Sequence, residues 1–377
     1  MRSTRRHISI FYGFLLIAVM AILFAGCHQN EKKKSTGHSI SEWKNQIQYA
    51  RGFALFREGA KTKVIVYSPW EKGTVLDSFV LVKHPPAKGE IQVPLNRVAV
   101  FSVTQLNALQ KLGLLDAVVG VSDVKYIKNE EIQKRYARHQ IAQLAVEGNF
   151  FVEKILETHP QAMFYSPYQG SASLSPALSS IQAIPFLDFM EANPLGRAEW
   201  IKFTAAFFGK EKTADSIFNH ISKAYLKLKK LADTVKYRPT VLSDKFYDGQ
   251  WYVPGGDSYI ATLFRDAGAD YVWKNVRKQG SFPLDFESVY KKAGHADFWR
   301  ILGSYGEKAS YPALANENKL YTKFKAFRLH HIIYCKAESG YFEKGSLEPQ
   351  VLLADFIKAF HPELLPHYKP HYYKILK

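Results

Sequence analysis

The chain is poor in cysteine, with only Cys27 and Cys335 in 377 residues. That excludes a disulfide framework and a zinc cluster built on thiolates. Neither common spacing of a glycine-rich phosphate loop occurs, and Gly255-Gly256 reads as a turn ahead of a helix at Ser258, so nucleotide binding has no anchor. The Gly-x-Ser-x-Gly elbow and the His-Glu-x-x-His motif are also absent, which removes the commonest hydrolase and metalloprotease readings. His330 and His331 are expected to be neighbours in a strand, pointing to opposite faces and unable to share a metal. Cys335, in the apolar run Ile332-Ile333-Tyr334-Cys335, reads as a buried, inert thiol. No residue stands out as catalytic. Acids are outnumbered as well, 34 against 51 Lys and Arg, for a net charge of +17. That balance alone admits nucleic acid, an anionic membrane face or an acidic ligand as partner.

Core material, by contrast, is ample: 47% of residues are hydrophobic and 14% aromatic. The length exceeds what one hydrophobic core usually supports, so two lobes are expected. The first residues indicate the compartment. Met1 to Arg6 carry three arginines and no acid, and the apolar run Ile8 to Phe24 ends at Ala25-Gly26-Cys27, the pattern of a secretory signal over residues 1–26. Leu23-Phe24-Ala25-Gly26-Cys27 resembles a bacterial lipobox, with Phe24 where an aliphatic or small residue is commoner. The resemblance implies cleavage before Cys27 and lipidation of its sulfur, anchoring the protein to a membrane on the periplasmic or outer side. A retained N-terminal membrane helix is the alternative. Loss of three arginines and no acid with residues 1–26 takes the net charge from +17 to +14, and export makes nucleic acid an improbable partner. Residues 27–45 read as a solvated tether.

The mature chain is organised by repetition. Strand Arg97 to Phe101, helix Thr104 to Leu112 stopped by Gly113, and strand Ala117 to Val121 form a β-α-β unit. Helix Phe151 to Leu156, ended by Pro160, leads to strand Ala162 to Tyr165. Strand Pro239 to Ser243, helix Ser258 to Ala267 stopped by Gly268, and strand Ala269 to Val272 repeat the order. Laying Glu153 on Glu287 without a gap puts Ile155 on Val289, Ala162 on Ala296, Phe164 on Phe298 and Tyr165 on Trp299, as if one half copied the other. The short runs Val64 to Tyr67 and Ser78 to Val82 read as a hairpin or small sheet decorating the first lobe. Between the halves, Trp200, Phe203 and Phe207 share a helical stripe, Gly209 breaks it, and a second helical stretch from Lys210 to Asp233 is about 35 Å long at the usual rise. The expected organisation is an α/β lobe at 46–195, a helical connector at 196–235 and a second α/β lobe at 236–377.

In this order the segments resemble the substrate-binding lipoproteins of ABC importers for iron-siderophores, haem and cobalamin. The residues that carry the resemblance are Asn96 to Thr104 with Leu112 to Val121, Val152 to Leu156, Trp251 to Asp270 and Leu353 to Leu364. His159-Pro160-Gln161 departs from the family where an acid often follows proline, and Gly294-His295 replaces a proline. The resemblance implies two similar α/β lobes joined by one long helix, with a ligand cleft between them. It also implies delivery to a permease with its ATPase and no catalytic activity. No cofactor is expected; the ligand itself carries the iron or cobalt. In the family, glutamates at the positions of Glu153 and Glu287 meet arginines of the importer.

Ligands of open α/β lobes sit beyond the carboxyl ends of the strands. The candidates there are Ser102, Thr104, Tyr165, Tyr168, Glu191, Tyr247, Trp251, Tyr252, Tyr305 and Tyr341. Their rings suit a corrin, porphyrin or catecholate. Arg328, His330 and His331 with the net positive charge favour an anionic chelate or simply form a solvated basic face. Two other readings stay open: a secreted bilobal enzyme acting on a carbohydrate or chelate through carboxylates such as Asp188 and Glu191, and a free-metal receptor needing three or four converging donors.

Overall fold

In the computed structural model, which describes residues 44–169, 174–304 and 306–377, a four-stranded sheet precedes the repeating units. Its strands β1 (Phe53–Glu58), β2 (Lys61–Tyr67), β3 (Val75–Val82) and β4 (Glu90–Gln92) lie in chain order, antiparallel except for the last pair. Phe53, Leu55, Val64, Val66, Phe79 and Leu81 make one of its faces apolar and buried. The short apolar runs Val64 to Tyr67 and Ser78 to Val82 fall in β2 and β3, and β1 and β4 add one strand on either side of them. Cys27 and Tyr305 lie outside the described residues.

The first half then alternates: β5 (Val98–Val100), α1 (Val103–Lys111), β6 (Val118–Ser122), α2 (Glu130–Ala137), β7 (Ala142–Val146), β8 (Asn149–Phe150), α3 (Val152–Glu157), β9 (Ala162–Tyr165) and β10 (Gln182–Pro185). Gly113 ends α1 because it takes φ +70, which an L side chain resists. The strands form one sheet in the order β10-β9-β5-β6-β7-β8, parallel apart from the β7–β8 hairpin. Chain order reverses between β5 and β9, so the crevice expected of such sheets opens beyond Phe101 and Tyr165.

Two helices follow, α4 (Pro194–Ala206) and α5 (Glu211–Ala232), broken at Gly209 with φ +63. Trp200, Phe203 and Ala206 of α4 pack into the first lobe's core, while Leu195, Ala198, Ile201 and Ala205 pack into the second's. Because different faces of α4 are buried in different cores, the helix is shared by both. Its 22 residues make α5 about 33 Å long, and its stripe Ala214, Phe218, Ile221 and Tyr225 faces the second core.

The second half contains β11 (Thr240–Ser243), β12 (Phe246–Tyr247), β13 (Gln250–Pro254), α6 (Tyr259–Asp266), β14 (Asp270–Tyr271), β15 (Ser281–Leu284), α7 (Phe286–Ala293), β16 (Phe298–Leu302), α8 (Tyr311–Glu317), α9 (Lys325–Arg328), β17 (Ile332–Cys335), α10 (Tyr341–Lys344), α11 (Pro349–Phe360) and β18 (Tyr373–Ile375). Its main sheet runs β14-β11-β16-β17-β18, and β12-β13-β15 form a separate antiparallel sheet. His330 and His331 are not in a strand. They form the turn before β17, where His330 takes φ +58 and lies on the Tyr311 ring at 4.2 Å, while His331 stacks on Phe298 at 4.8 Å. Cys335 is fully buried, and burial pushes its thiol up to about 11.

The overlay of the halves holds through the helices and slips at the strands. Glu153 and Glu287 are both exposed in the first turns of α3 and α7, and Ile155 and Val289 are both buried beneath. The strand after α7 starts at Phe298, whereas the overlay puts the equivalent of the β9 start at Ala296. Consequently Tyr165 is half-buried where its counterpart Trp299 is fully enclosed.

Candidate functional site

The carboxyl ends of both main sheets meet at a crevice of about 290 Å³, lined by Phe189 to Ala192 beyond β10, by Asp244 beyond β11, and by Pro254, Tyr259, Gln279 and Arg300. Each lobe brings one arginine–carboxylate pair to this region. From the first lobe, Arg197 Nε lies 3.2 Å from Asp188 Oδ2, and Asp188 Oδ1 accepts from Thr104 Oγ1 at 2.9 Å. Thr104 and Ser102 share a hydroxyl contact of 2.8 Å. The Arg197 guanidinium stands 5.2 Å above the Tyr259 ring of the second lobe, a cation–π contact between the halves. From the second lobe, Arg300 donates to Asp244 and, through Nε at 3.0 Å, to the Tyr373 hydroxyl. Burial alone would lower the Arg300 pKa, but the Tyr373 hydroxyl and Asp244 beside it raise it above the ordinary arginine value. The crevice thus keeps a permanent cation in a dry setting. Asp244 takes φ +64, a strained conformation for a residue with a side chain and the kind that gathers at binding sites. Burial also pushes the Tyr259 phenol far up, so it stays a neutral ring with a hydroxyl that finds no partner in the protein.

Arg197, Asp244, Tyr259 and Arg300 escaped the sequence reading. One signal was available for Arg300: it is the lone charge in the apolar strand Phe298-Trp299-Arg300-Ile301-Leu302, and such a charge needs a partner. Of the foreseen residues, Ser102 and Thr104 join the Asp188 network, and Tyr341 is half-buried with its ring edge against Tyr373 at 5.6 Å. Tyr165 is half-buried, and burial, then the Asp77 carboxylate of β3, raises its phenol. Tyr168, Tyr247 and Tyr252 are exposed and do not line the crevice.

Two candidates have their side chains committed inside the protein, Trp251 in the core and Glu191, which borders the crevice, on backbone amides. Trp251 is wholly buried, 5.6 Å from the Trp299 ring and 5.7 Å from Phe324, with its indole donating to the Ser243 carbonyl. Strand alternation explains this: Trp251 and Val253 face the core and Tyr252 faces out. Glu191 does not offer a free carboxylate. It accepts the backbone amides of Arg51 at 2.9 Å and Gly52 at 2.8 Å and the Trp200 indole at 3.0 Å. Burial raises its pKa while those hydrogen bonds pull it back. Next to it, fully buried Glu199 collects the amides of Gln48, Tyr49 and Ala50. Five successive amides are thereby held by two acids, three by Glu199 of α4 and two by Glu191 just ahead of it. The approach is so close that a Cβ on Gly52 would sit 2.9 Å from the Trp200 ring, and one on Gly196 2.9 Å from the Tyr49 carbonyl oxygen.

Among the described residues no group of three or more His, Cys, Asp or Glu side chains comes together as a metal site, and no helix is long and apolar enough to cross a membrane. Comparison with known proteins is consistent in direction. An uncharacterized lipoprotein of Methanocaldococcus jannaschii is 28% identical over 81% of this chain and 72% of its own. A periplasmic binding protein of Veillonella parvula superposes with a TM-score of 0.60 at 14% identity, covering 81% of this chain and 99% of its own. An ABC-type Fe3+-hydroxamate transport protein of Saccharomonospora viridis superposes with a TM-score of 0.55 at 17% identity, covering 72% and 95%. At such identities the structural likeness is one of fold. The sequence model of the periplasmic binding proteins matches residues 98–339, from β5 to the turn before α10. With more than half the chain inside that match and both lobes arranged around a strand-end crevice, the chain belongs to the periplasmic binding protein family.

Proposed function

We propose that this protein is an extracytoplasmic solute-binding lipoprotein that captures a bulky anionic chelate, of the iron-siderophore or cobalamin type, and delivers it to an ABC importer with its ATPase. The observation that carries this reading is the Arg300–Asp244 pair lining a crevice walled by Phe189 and Tyr259, with Arg197 set against the Tyr259 ring. A guanidinium bordering a strand-end cleft beside its own carboxylate partner can be re-paired by an anionic ligand, and the rings favour a large flat or branched ligand. Asp188 and Glu191, the carboxylates an enzyme reading would use, are both committed to hydrogen bonds within the protein. The ferric-hydroxamate relative adds a precedent on the same fold.

The test is binding of ferrioxamine B, ferric enterobactin, haemin and cyanocobalamin, followed by native mass spectrometry and fluorescence. One is expected to bind tightly, and Arg300→Met to weaken it by about 2–5 kcal/mol, the range for removing one partner of a buried charged contact. Arg300→Lys keeps the charge and serves if the Met variant does not fold. No binding by any of the four, or unchanged affinity in both variants, rejects the assignment.

The lipid anchor is a separate expectation. Cys27→Ser should leave the protein soluble or with its signal uncut, because stable anchoring takes at least two buried acyl chains. Fractionation and intact mass read the result. Membrane retention of an unmodified Cys27 with residues 1–26 in place rejects it.

A further inference from the structure

The sheet β1–β4 lies ahead of the family match at 98–339 and has its own cavity. This chamber, about 590 Å³, is walled on one side by Tyr67, Trp70 and Lys72 of the sheet and its β2–β3 turn, and on the other by Tyr49, Arg51 and Met190. It shares Met190, Glu191, Ala192 and Gln279 with the strand-end crevice, so the two adjoin across these residues. Gln279 belongs to the second lobe, and a molecule filling the chamber therefore touches the sheet and both lobes.

The floor is rigid. Residues 48–52 are fixed by Glu199 and Glu191, and Phe53 packs on Trp200 at 4.8 Å. The chemistry differs from the crevice. Three half-buried rings, Tyr49, Tyr67 and Trp70, stand with two exposed cations, Arg51 and Lys72, while the one carboxylate in the wall, Glu191, is already occupied by amides and an indole. Rings with cations at the rim and no free acid select an aromatic group carrying negative charge.

We infer that the appended sheet builds a second compartment of the ligand site, which holds an anionic aromatic arm of a ligand whose metal-bearing centre lies in the crevice. This rests on the chelate reading above and adds to it the class of ligand: one with an acidic aromatic arm, such as a catecholate, that reaches from the metal in the crevice into the chamber.

Two probes separate the two claims. Metal-free 2,3-dihydroxybenzoate tests the chamber alone, and its ferric complex tests chamber and crevice together. Free acid should quench tryptophan fluorescence to one saturable site. Arg51→Glu with Lys72→Glu should weaken it roughly tenfold, as should Trp70→Leu, while Arg300→Met leaves it unchanged. Arg51 and Lys72 have exposed side chains, so the charge reversal does not depend on a core residue, and thermal melting controls for the Trp70 variant. The ferric complex should lose affinity in all of these variants. Free acid that fails to bind the wild type, or binds every chamber variant as tightly, overturns the proposal. Free acid that follows the chamber variants while the ferric complex does not bind at all instead removes the chelate reading of the crevice.

Discussion

Reversing both Glu153 and Glu287 to lysine is expected to abolish uptake while leaving ligand affinity untouched. The two carboxylates are exposed in the first turns of α3 and α7, helices at equivalent places in the two halves. A helix dipole favours an acid there by about 0.3–1 kcal/mol, yet local capping does not explain Glu287, because Asp285 already caps α7 through the Ser288 amide. A permease with two-fold symmetry would need one acidic contact per lobe, and in the family this chain resembles glutamates at these positions meet arginines of the importer. Interfacial charges mainly set orientation and association rate, so docking of the double variant should be weak and the residual binding strongly salt-dependent. Uptake in a reconstituted importer and binding measured on the protein alone check both halves of the statement. Uptake that survives the reversal, or affinity that falls with it, returns the glutamates to a local role.

Trp251→Ala should cost about 3–5 kcal/mol of folding stability, the usual range for emptying a large aromatic site in a core. The ring sits among Trp299, Phe286, Tyr321 and Phe324, and its indole hydrogen bond to Ser243 is lost with it. Since Ser243 precedes Asp244, the crevice should loosen only as the whole lobe does. Denaturant unfolding therefore shows the effect, and ligand affinity measured well below the melting temperature changes little. A stable variant with lost affinity would put Trp251 back in the cleft.

These residues also show what a sequence makes legible. The β-α-β units could be read because Gly113 and Gly268 stop helices of clear period, and Ser258 caps the helix behind it. Aromatic residues after strands were legible as a class but not one by one. Trp251, Tyr252 and Tyr247 lie within a few residues of each other, and only the pleat decides that the first is buried and the others exposed. The arginine pairs were less legible still, because Arg197 meets Tyr259 and Arg300 meets Tyr373 across long stretches of chain, and no local pattern encodes such a meeting. Glu191 was noticed for its charge, but its role comes from amides at residues 51 and 52, which sequence order keeps far away.

The stitching of residues 48–52 to Glu199 and Glu191 also has a mechanical meaning. Both acids attach to or border α4, the helix whose opposite faces belong to the two cores. The chain ahead of residue 48 is tied first to Leu55 of β1, through the Gln46 amide and the Asn45 side chain, and then to this helix. The entry of the chain is thereby anchored at the seam of the two cores, on the one helix that both of them bury.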